Sequence, residues 1–402
     1  MAGLRTLDDL DVVGKRVVVR ADLNVPMKGG AVADDTRIRC LIPTVTELAD
    51  TGASVVVLSH FGRPDGKPVA ECSLAPLRAP LEALAGRPVQ FISTDWADSV
   101  HLPRFGRSGE IVLMENTRFH RGEEANDPSF SRKLADLGDI FVNDAFSVSH
   151  RAHASTEGIA RLLPSYAGRS MEAELAALDS ALGNPVRPIG AVIGGAKIST
   201  KLAILENLVK RADLLVVGGG MANTLLHARG KEIGRSICEP QLCDVAERIL
   251  RQAKEHGCTI VLPTDVVVAD RFAPGATHLT VSVDNVPGNA MILDIGPDTV
   301  AAVAEKFSKL RTLLWNGPMG AFEIEPFGEG TFALANAAAR LTQTNELLTV
   351  AGGGDTLAAL NASGAIDDFS YVSAAGGAFL EWLEGRELPG VEVLRAKSGM
   401  EV

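Results

Sequence analysis

The chain has 402 residues, too many for one ordinary domain, and 46% of them are hydrophobic, enough to bury two substantial cores. Its formal charge of −11 excludes nonspecific nucleic-acid binding, which needs a broad basic surface, and turns any local basic cluster into a candidate cleft lining. Cys40, Cys72, Cys238, Cys243 and Cys258 form no C-x-x-C pair and have no histidine at metal-ligand spacing, so reduced thiols of a cytoplasmic protein are expected. The first sixteen residues lack the apolar core of a signal peptide, and no apolar run reaches the roughly 20 residues of a membrane span.

In chain order, short β-branched runs read as strands at Arg16–Arg20 (RVVVR), Ser54–Ser59, Glu110–Met114 and Ile140–Asn143. Ile189–Ile193, Leu214–Val217, Thr259–Leu262, Thr312–Trp315, Leu347–Ala351 and Tyr371–Ser373 follow in the second half. Helix-period stretches separate most of them, among them Ile42–Thr51, Ala75–Ala85, Thr200–Arg211 and Asp244–His256. Continuous apolar strands alternating with helices imply parallel sheets covered on both faces, hence an α/β fold of two doubly wound domains. Their expected joint is Tyr166–Leu182, a Glu/Ala/Leu-rich helical run stopped by Gly183-Asn184-Pro185 and suited to serve as a hinge, with a packed surface helix of the first domain as the plainer alternative.

The first half plants cations at strand ends. Asp22 and Asn24 follow Arg20, where they suit a substrate hydroxyl or an Asx turn. Arg37 opens a helical stretch, His60 and Arg63 leave the next strand, and Arg118 and Arg151 repeat the theme. Such groups, converging on one sheet edge, suit a small anion. His150 and His153 have no third partner at metal-ligand spacing.

The second half repeats a strand–glycine–helix unit. In Gly352-Gly353-Gly354-Asp355-Thr356, free N–H groups ahead of a helix can hold phosphate oxygens, with Asp355 placed for a phosphate-bound Mg²⁺; a plain helix cap is the alternative. Ser373-Ala374-Ala375-Gly376-Gly377 repeats the layout, and two adjacent strands would bring both turns to one edge. Lys197 and Lys201, four apart after Gly194-Gly195, are expected on one helix face, serving phosphates or simply facing solvent. Glu323, in the loop after Asn316, suits ribose hydroxyls or a loop ion pair. No segment fits the P-loop pattern or G-x-G-x-x-G, which lowers the case for a P-loop NTPase or a dinucleotide dehydrogenase.

Taken together, RADLNVP (20–26), SHFGRPDGK (59–67), ENTRFH (115–120), NDAFSVSHRAHAS (143–155), GGAKISTKL (194–202), VVGGGMANT (216–224), WNGPMGAFE (315–323) and AGGGDTLAAL (351–360) resemble 3-phosphoglycerate kinases of the bacterial type, in family order over essentially the whole chain. The resemblance implies two Rossmann-like domains joined by a helix: residues 1–170 for 3-phosphoglycerate, 171–385 for nucleotide, and a tail, 386–402, returning to the first. It implies Asp22, Asn24, Arg37, His60, Arg63, Arg118 and Arg151 as substrate ligands, and Arg37, Lys197, Gly376 and Gly377 around the transferring phosphoryl group. Lys201, Asn316, Glu323, Gly353, Gly354, Asp355 and Thr356 are implied for ATP or ADP, with Mg²⁺ at Asp355, in a cytoplasmic, monomeric enzyme. The last glycine turn departs from the family's usual Ser-Thr-Gly-Gly-Gly-Ala-Ser at Ala374, Ala375 and Phe379, and a weaker hold on the phosphoryl group is the expectation. An acyl-phosphate kinase for another carboxylate, and a nucleotide-binding scaffold without catalysis, are the competing readings.

Overall fold

The computed structural model describes residues 3–93 and 107–395. It divides into two compact units, one running up to Ala176 and including the segment from Glu387, the other Ala177–Arg386.

The first unit is built on β1 (Arg16–Arg20), β2 (Ser54–Leu58), β3 (Val89–Ile92), β4 (Ile111–Met114), β5 (Ile140–Asn143) and β6 (Ser165–Ala167). They form one parallel sheet in the order β3-β4-β2-β1-β5-β6. Side-chain alternation sorts its valines into two cores. Val17 and Val19 pack beneath Ile38, Leu41, Val45 and Leu48 of α1 (Thr36–Asp50) and Leu81 of α2 (Arg78–Ala85). Val18 points the other way, to Phe130 and Leu134 of α3 (Pro128–Ala135). The winding reverses between β1 and β5, so their C-terminal loops part there and leave the crevice where open α/β sheets bind ligands.

From Arg169 the chain enters α4 (Arg169–Leu178), which ends in a π-helical turn at Asp179–Gly183. Tyr166, expected inside this helix, instead completes β6, because its neighbours extend the sheet beside β5. Buried Asp144 caps the helix: its Oδ1 accepts from the N–H groups of Ser170 (2.8 Å) and Met171 (3.0 Å). Arg169 binds Glu47 at 2.6 Å and Asp8 at 2.7 Å, tying the first turn to α1. Within the same unit, Asn143 donates to Gly390 O at 3.0 Å, and Gly390 N donates to Ser149 O at 2.9 Å.

The second unit repeats the plan with β7 (Ile189–Ile193), α5 (Leu202–Leu208), β8 (Leu214–Val217), α6 (Gly219–Ala228), α7 (Cys243–Glu255) and β9 (Thr259–Val261). A three-stranded antiparallel sheet follows: β10 (Asp265–Ala269), β11 (His278–Ser282) and β12 (Met291–Ile295), with β10 in the middle. The parallel sheet then resumes with α8 (Pro297–Phe307), β13 (Thr312–Asn316), α9 (Glu329–Gln343), β14 (Leu348–Gly352), α10 (Gly354–Ala362), β15 (Tyr371–Ser373) and α11 (Gly377–Leu383). Its order is β9-β8-β7-β13-β14-β15, with the winding reversed between β7 and β13. Trp315, Leu313 and Val192 meet Val303, Phe307 and Leu334 of α8 and α9 in its core. The two doubly wound α/β sheets expected from the alternating pattern are thus both present; the antiparallel insert that interrupts the second was not foreseen.

Candidate active site

In the first unit the loops after β1, β2, β4 and β5 carry the cations. Arg20, the last residue of β1, is fully buried, and its charge is answered below by Ser155 Oγ, which accepts from Nε at 2.7 Å. Ser155 N in turn donates to buried Glu123 at 3.0 Å. On its other side Arg20 Nη2 lies 3.2 Å from His60 Nδ1. A guanidinium can only donate, so Nδ1 is the acceptor and the ring proton sits on Nε2. Burial, with Arg20, Arg118, Arg37 and His153 nearby, holds His60 well below its ordinary 6.5, so this tautomer is neutral at pH 7. His153, pushed down to about 4 by burial and by Arg20, Arg118 and Arg151, is neutral as well.

The remaining groups are held by backbone. Asp22 binds Arg37 at 2.8 Å, and Arg37 also donates to Asn24 O at 2.9 Å. Asn24 Oδ1 accepts from Gly62 N at 3.0 Å, and Arg118 donates to Gly62 O at 2.8 Å. Asn116 starts the short 3-10 turn bearing Arg118 and anchors it by donating to Phe61 O (2.7 Å) and Cys72 O (2.8 Å). Arg63 and Arg151 are exposed, and both press on the charge of Arg118 and depress it, after burial itself. Arg37, His60, Arg63, Arg118 and Arg151 are therefore brought together, with positive charge in excess. Sequence reasoning missed Arg20, Asn116 and Ser155, because a buried arginine at a strand end looks no different in sequence from a ligand.

In the second unit the parallel register of β14 and β15, Gly352 beside Ser373, sets the two glycine turns side by side. Gly353 has φ +100°, and a Cβ there would lie 2.6 Å from Asn316 Nδ2, so only glycine fits. Asn316 Nδ2 and Thr356 Oγ1 both donate to Gly352 O, at 2.7 and 2.8 Å, and Gly317 N donates to Thr356 Oγ1 at 2.7 Å. The Thr356 hydroxyl is thus spent on the loop itself, and Gly354 and Asp355 face solvent on the first turn of α10.

Lys197 and Lys201 do not share a helix face. They flank a 3-10 turn, Ile198–Thr200, with α5 starting only at Leu202. Lys197 is exposed, whereas Lys201 Nζ donates to Gly194 O (2.7 Å) and Asn316 O (3.2 Å). Burial lowers Lys201 to about 8, with Asp355 pulling it back up. Beside these groups opens a cavity of about 440 Å³. Gly195, Gly219 and Gly320 line it with Ile237, Phe272, Met319, Glu323 and Asp355. Ile237 and Phe272 are among the few large apolar side chains left exposed, which no sequence pattern marked.

No group of three or more His, Cys, Asp or Glu stands ready for a metal among the described residues. Solvent-facing Asp355, next to the Gly353 turn, has the donor chemistry that suits Mg²⁺, which prefers one or two carboxylates completed by phosphate oxygens.

Comparison with known proteins decides the family. The family model for phosphoglycerate kinase matches residues 7–386. The chain belongs to the phosphoglycerate kinase family. It is 56% identical over 400 residues to the phosphoglycerate kinase of Methylorubrum extorquens strain PA1, covering 99% of this chain and 100% of that one. With the Chelativorans sp. strain BNC1 phosphoglycerate kinase it shares 57% over 397 residues, 98% and 100% of the two chains. The solved structure of phosphoglycerate kinase from Coxiella burnetii superposes with a TM-score of 0.92 at 44% identity, over 97% of this chain and 98% of that one. The more distant one from Pyrococcus horikoshii OT3 gives 0.78 at 31% over the same shares. The protein is therefore a phosphotransferase of the phosphoglycerate kinase family. Its altered glycine turn has Ala374 exposed and Ala375 buried, with Ala375 N donating to Ser373 Oγ at 3.2 Å. Phe379 lies wholly inside α11's packing.

Proposed function

We propose that the chain catalyses reversible phosphoryl transfer between 1,3-bisphosphoglycerate with MgADP and 3-phosphoglycerate with MgATP, in glycolysis and gluconeogenesis, as a cytoplasmic monomer. The cationic loops of the first unit support this reading most directly. The charges of Arg37, Arg63, Arg118 and Arg151 exceed those of the carboxylates around them, as a doubly charged phosphate ester with its own carboxylate requires, and neutral His60 adds a hydrogen-bond donor. Asp22 and Asn24 serve the substrate hydroxyl, and residues 1–170 make the acceptor domain. Residues 171–385 make the nucleotide domain, with Lys201, Gly353, Gly354 and Thr356 on the phosphates, Asn316 supporting them and Glu323 on the ribose.

The acceptor is a carboxylate, already ionised at neutral pH, so no general base is needed. The protein's task is in-line positioning and charge neutralisation. Arg37, Lys197 and the N–H groups of Gly376 and Gly377 face the transferring phosphoryl group. Mg²⁺, brought on the nucleotide and held at Asp355, supplies further neutralisation when bound. Closure about α4 excludes the water that would otherwise accept the phosphoryl group. Of the 386–402 tail, Glu387–Arg395 belongs with the first unit, and the residues after Arg395 lie outside the described residues.

The test is ATP-dependent phosphorylation of 3-phosphoglycerate, with and without Mg²⁺, alongside a panel of unphosphorylated carboxylates. Turnover confined to the phosphorylated acid is expected; comparable rates with acetate or propionate would sink the substrate assignment. Lys197→Ala is expected to lower kcat by about 10²-fold or more with little change in the KM for MgATP. A kcat near that of the parent would remove Lys197 from the transfer step.

A further inference from the structure

A side chain just beyond one glycine turn, Phe379, packs against the other, at Gly352. Phe379 is 0% exposed on α11, three residues after Gly376, and its ring occupies the space into which a side chain at Gly352 would project. A Cβ on Gly352 would stand 2.6, 2.7 and 2.8 Å from three of its ring carbons, well inside van der Waals contact. Trp382 backs the ring at 6.3 Å between centroids. Gly352 is a junction: its carbonyl receives the Asn316 amide at 2.7 Å and the Thr356 hydroxyl at 2.8 Å, and Thr356 in turn holds Gly317 N. Asn316 also offers its carbonyl to Lys201.

We propose that Phe379 is a positioning residue for the nucleotide-phosphate site. Its ring presses on Gly352 and thereby fixes the hydrogen-bonded set of Asn316, Thr356 and Gly317. Because the same side chain grows from the helix that begins at the Gly376–Gly377 turn, it also sets the spacing between the two glycine turns. This offsets the alanines at 374 and 375: the turn has less freedom at its own glycines and is located instead from behind. The inference rests on the nucleotide reading of these turns.

The test is a double-mutant cycle on the full chain, measuring calorimetric MgADP affinity, the KM for MgATP, kcat and thermal stability for F379A, G352A and the double variant. A loop displaced by even a fraction of an ångström holds phosphate poorly, so each single variant is expected to weaken MgADP by about tenfold. In the double variant the new methyl enters the space the ring has left, and affinity is expected to recover most of that loss. F379L, which refills the space, is expected to remain within about threefold of the parent and serves if F379A does not fold. Unchanged MgADP affinity in folded F379A, or simple additivity in the double variant, overturns the proposal and leaves the nucleotide reading standing. A parent that binds no MgADP overturns both.

Discussion

On the proposed reading, Lys201 trades stability for ligand binding. Its ammonium lies against the Gly194 and Asn316 carbonyls in a pocket that lowers it to about 8, against 10.5 when free. The folded state therefore binds fewer protons than the unfolded one between those values. Holding the charged form costs about 3 kcal/mol below pH 8, and the cost fades as pH rises toward 10.5. For a polyphosphate ligand the sign reverses, because only the charged form attracts it. MgADP affinity is expected to fall as pH rises through about 8, and Lys201→Met should weaken binding at pH 7 while flattening that dependence. Calorimetric titrations between pH 6.5 and 9 check this; an unchanged pH slope in the variant would mean that another group carries it. The histidines behave oppositely to a simple charge reading. Burial first, and then the arginines around them, keep His60 and His153 neutral, so His60 acts as a donor through Nε2 and not as a cation.

At the scale of elements, the capped start of α4 is a titratable joint. Asp144 accepts two backbone N–H groups there, yet burial pushes it up to about 7. Its folded value lies above the unfolded 3.8, so the native state keeps a proton that the unfolded chain has given up, and stability declines as pH rises from about 4 to 7. Asp144→Asn retains an acceptor for Ser170 and Met171 and removes the titration. We expect the variant to exceed the parent by about 2 kcal/mol at pH 7.5 and to match or trail it at pH 4.5, in urea unfolding at both values. A pH-independent difference would show that the cap carries no such linkage. Which elements were legible follows from the same local physics. The valine runs of β1 and β2 announce a doubly buried parallel sheet, because nothing but two covered faces tolerates them. The antiparallel strands His278–Ser282 and Met291–Ile295 stayed hidden, since most of their residues remain exposed or half-buried and the pattern lacks a continuous apolar run. Helix ends shifted for similar reasons: α1 begins at Thr36, six residues before its apolar period becomes evident, with Asp34 accepting from Thr36 N at 2.8 Å. In the site, glycine turns and strand-end arginines were readable as motifs. Tertiary supports such as Arg20 beneath His60, or Phe379 beneath Gly352, were not, because their partners lie some forty and twenty-seven residues away in sequence.

At the scale of the whole molecule, the two proposed ligand sets fall in different compact units, each with its own sheet, core and switch point. Every hydrogen bond described for the cationic loops closes within the first unit, from Arg20 to Ser155 and from Arg118 to Gly62. Those of the glycine turns close within the second, from Asn316 and Thr356 to Gly352. Binary complexes should consequently be separable. Amide hydrogen exchange with 3-phosphoglycerate alone is expected to slow the backbone around Asp22–Asn24, Gly62 and Arg118, leaving Gly352–Thr356 at the rate of the free protein. MgADP alone should do the reverse. Arg118→Ala is expected to abolish the first protection pattern and to change MgADP affinity by less than about twofold, since charges on separate units and screened by solvent couple weakly. Protection of the glycine turns by 3-phosphoglycerate alone would show that the acceptor reaches the second unit without nucleotide. The assignment of one ligand to each unit would then give way to a site that either ligand organises across both.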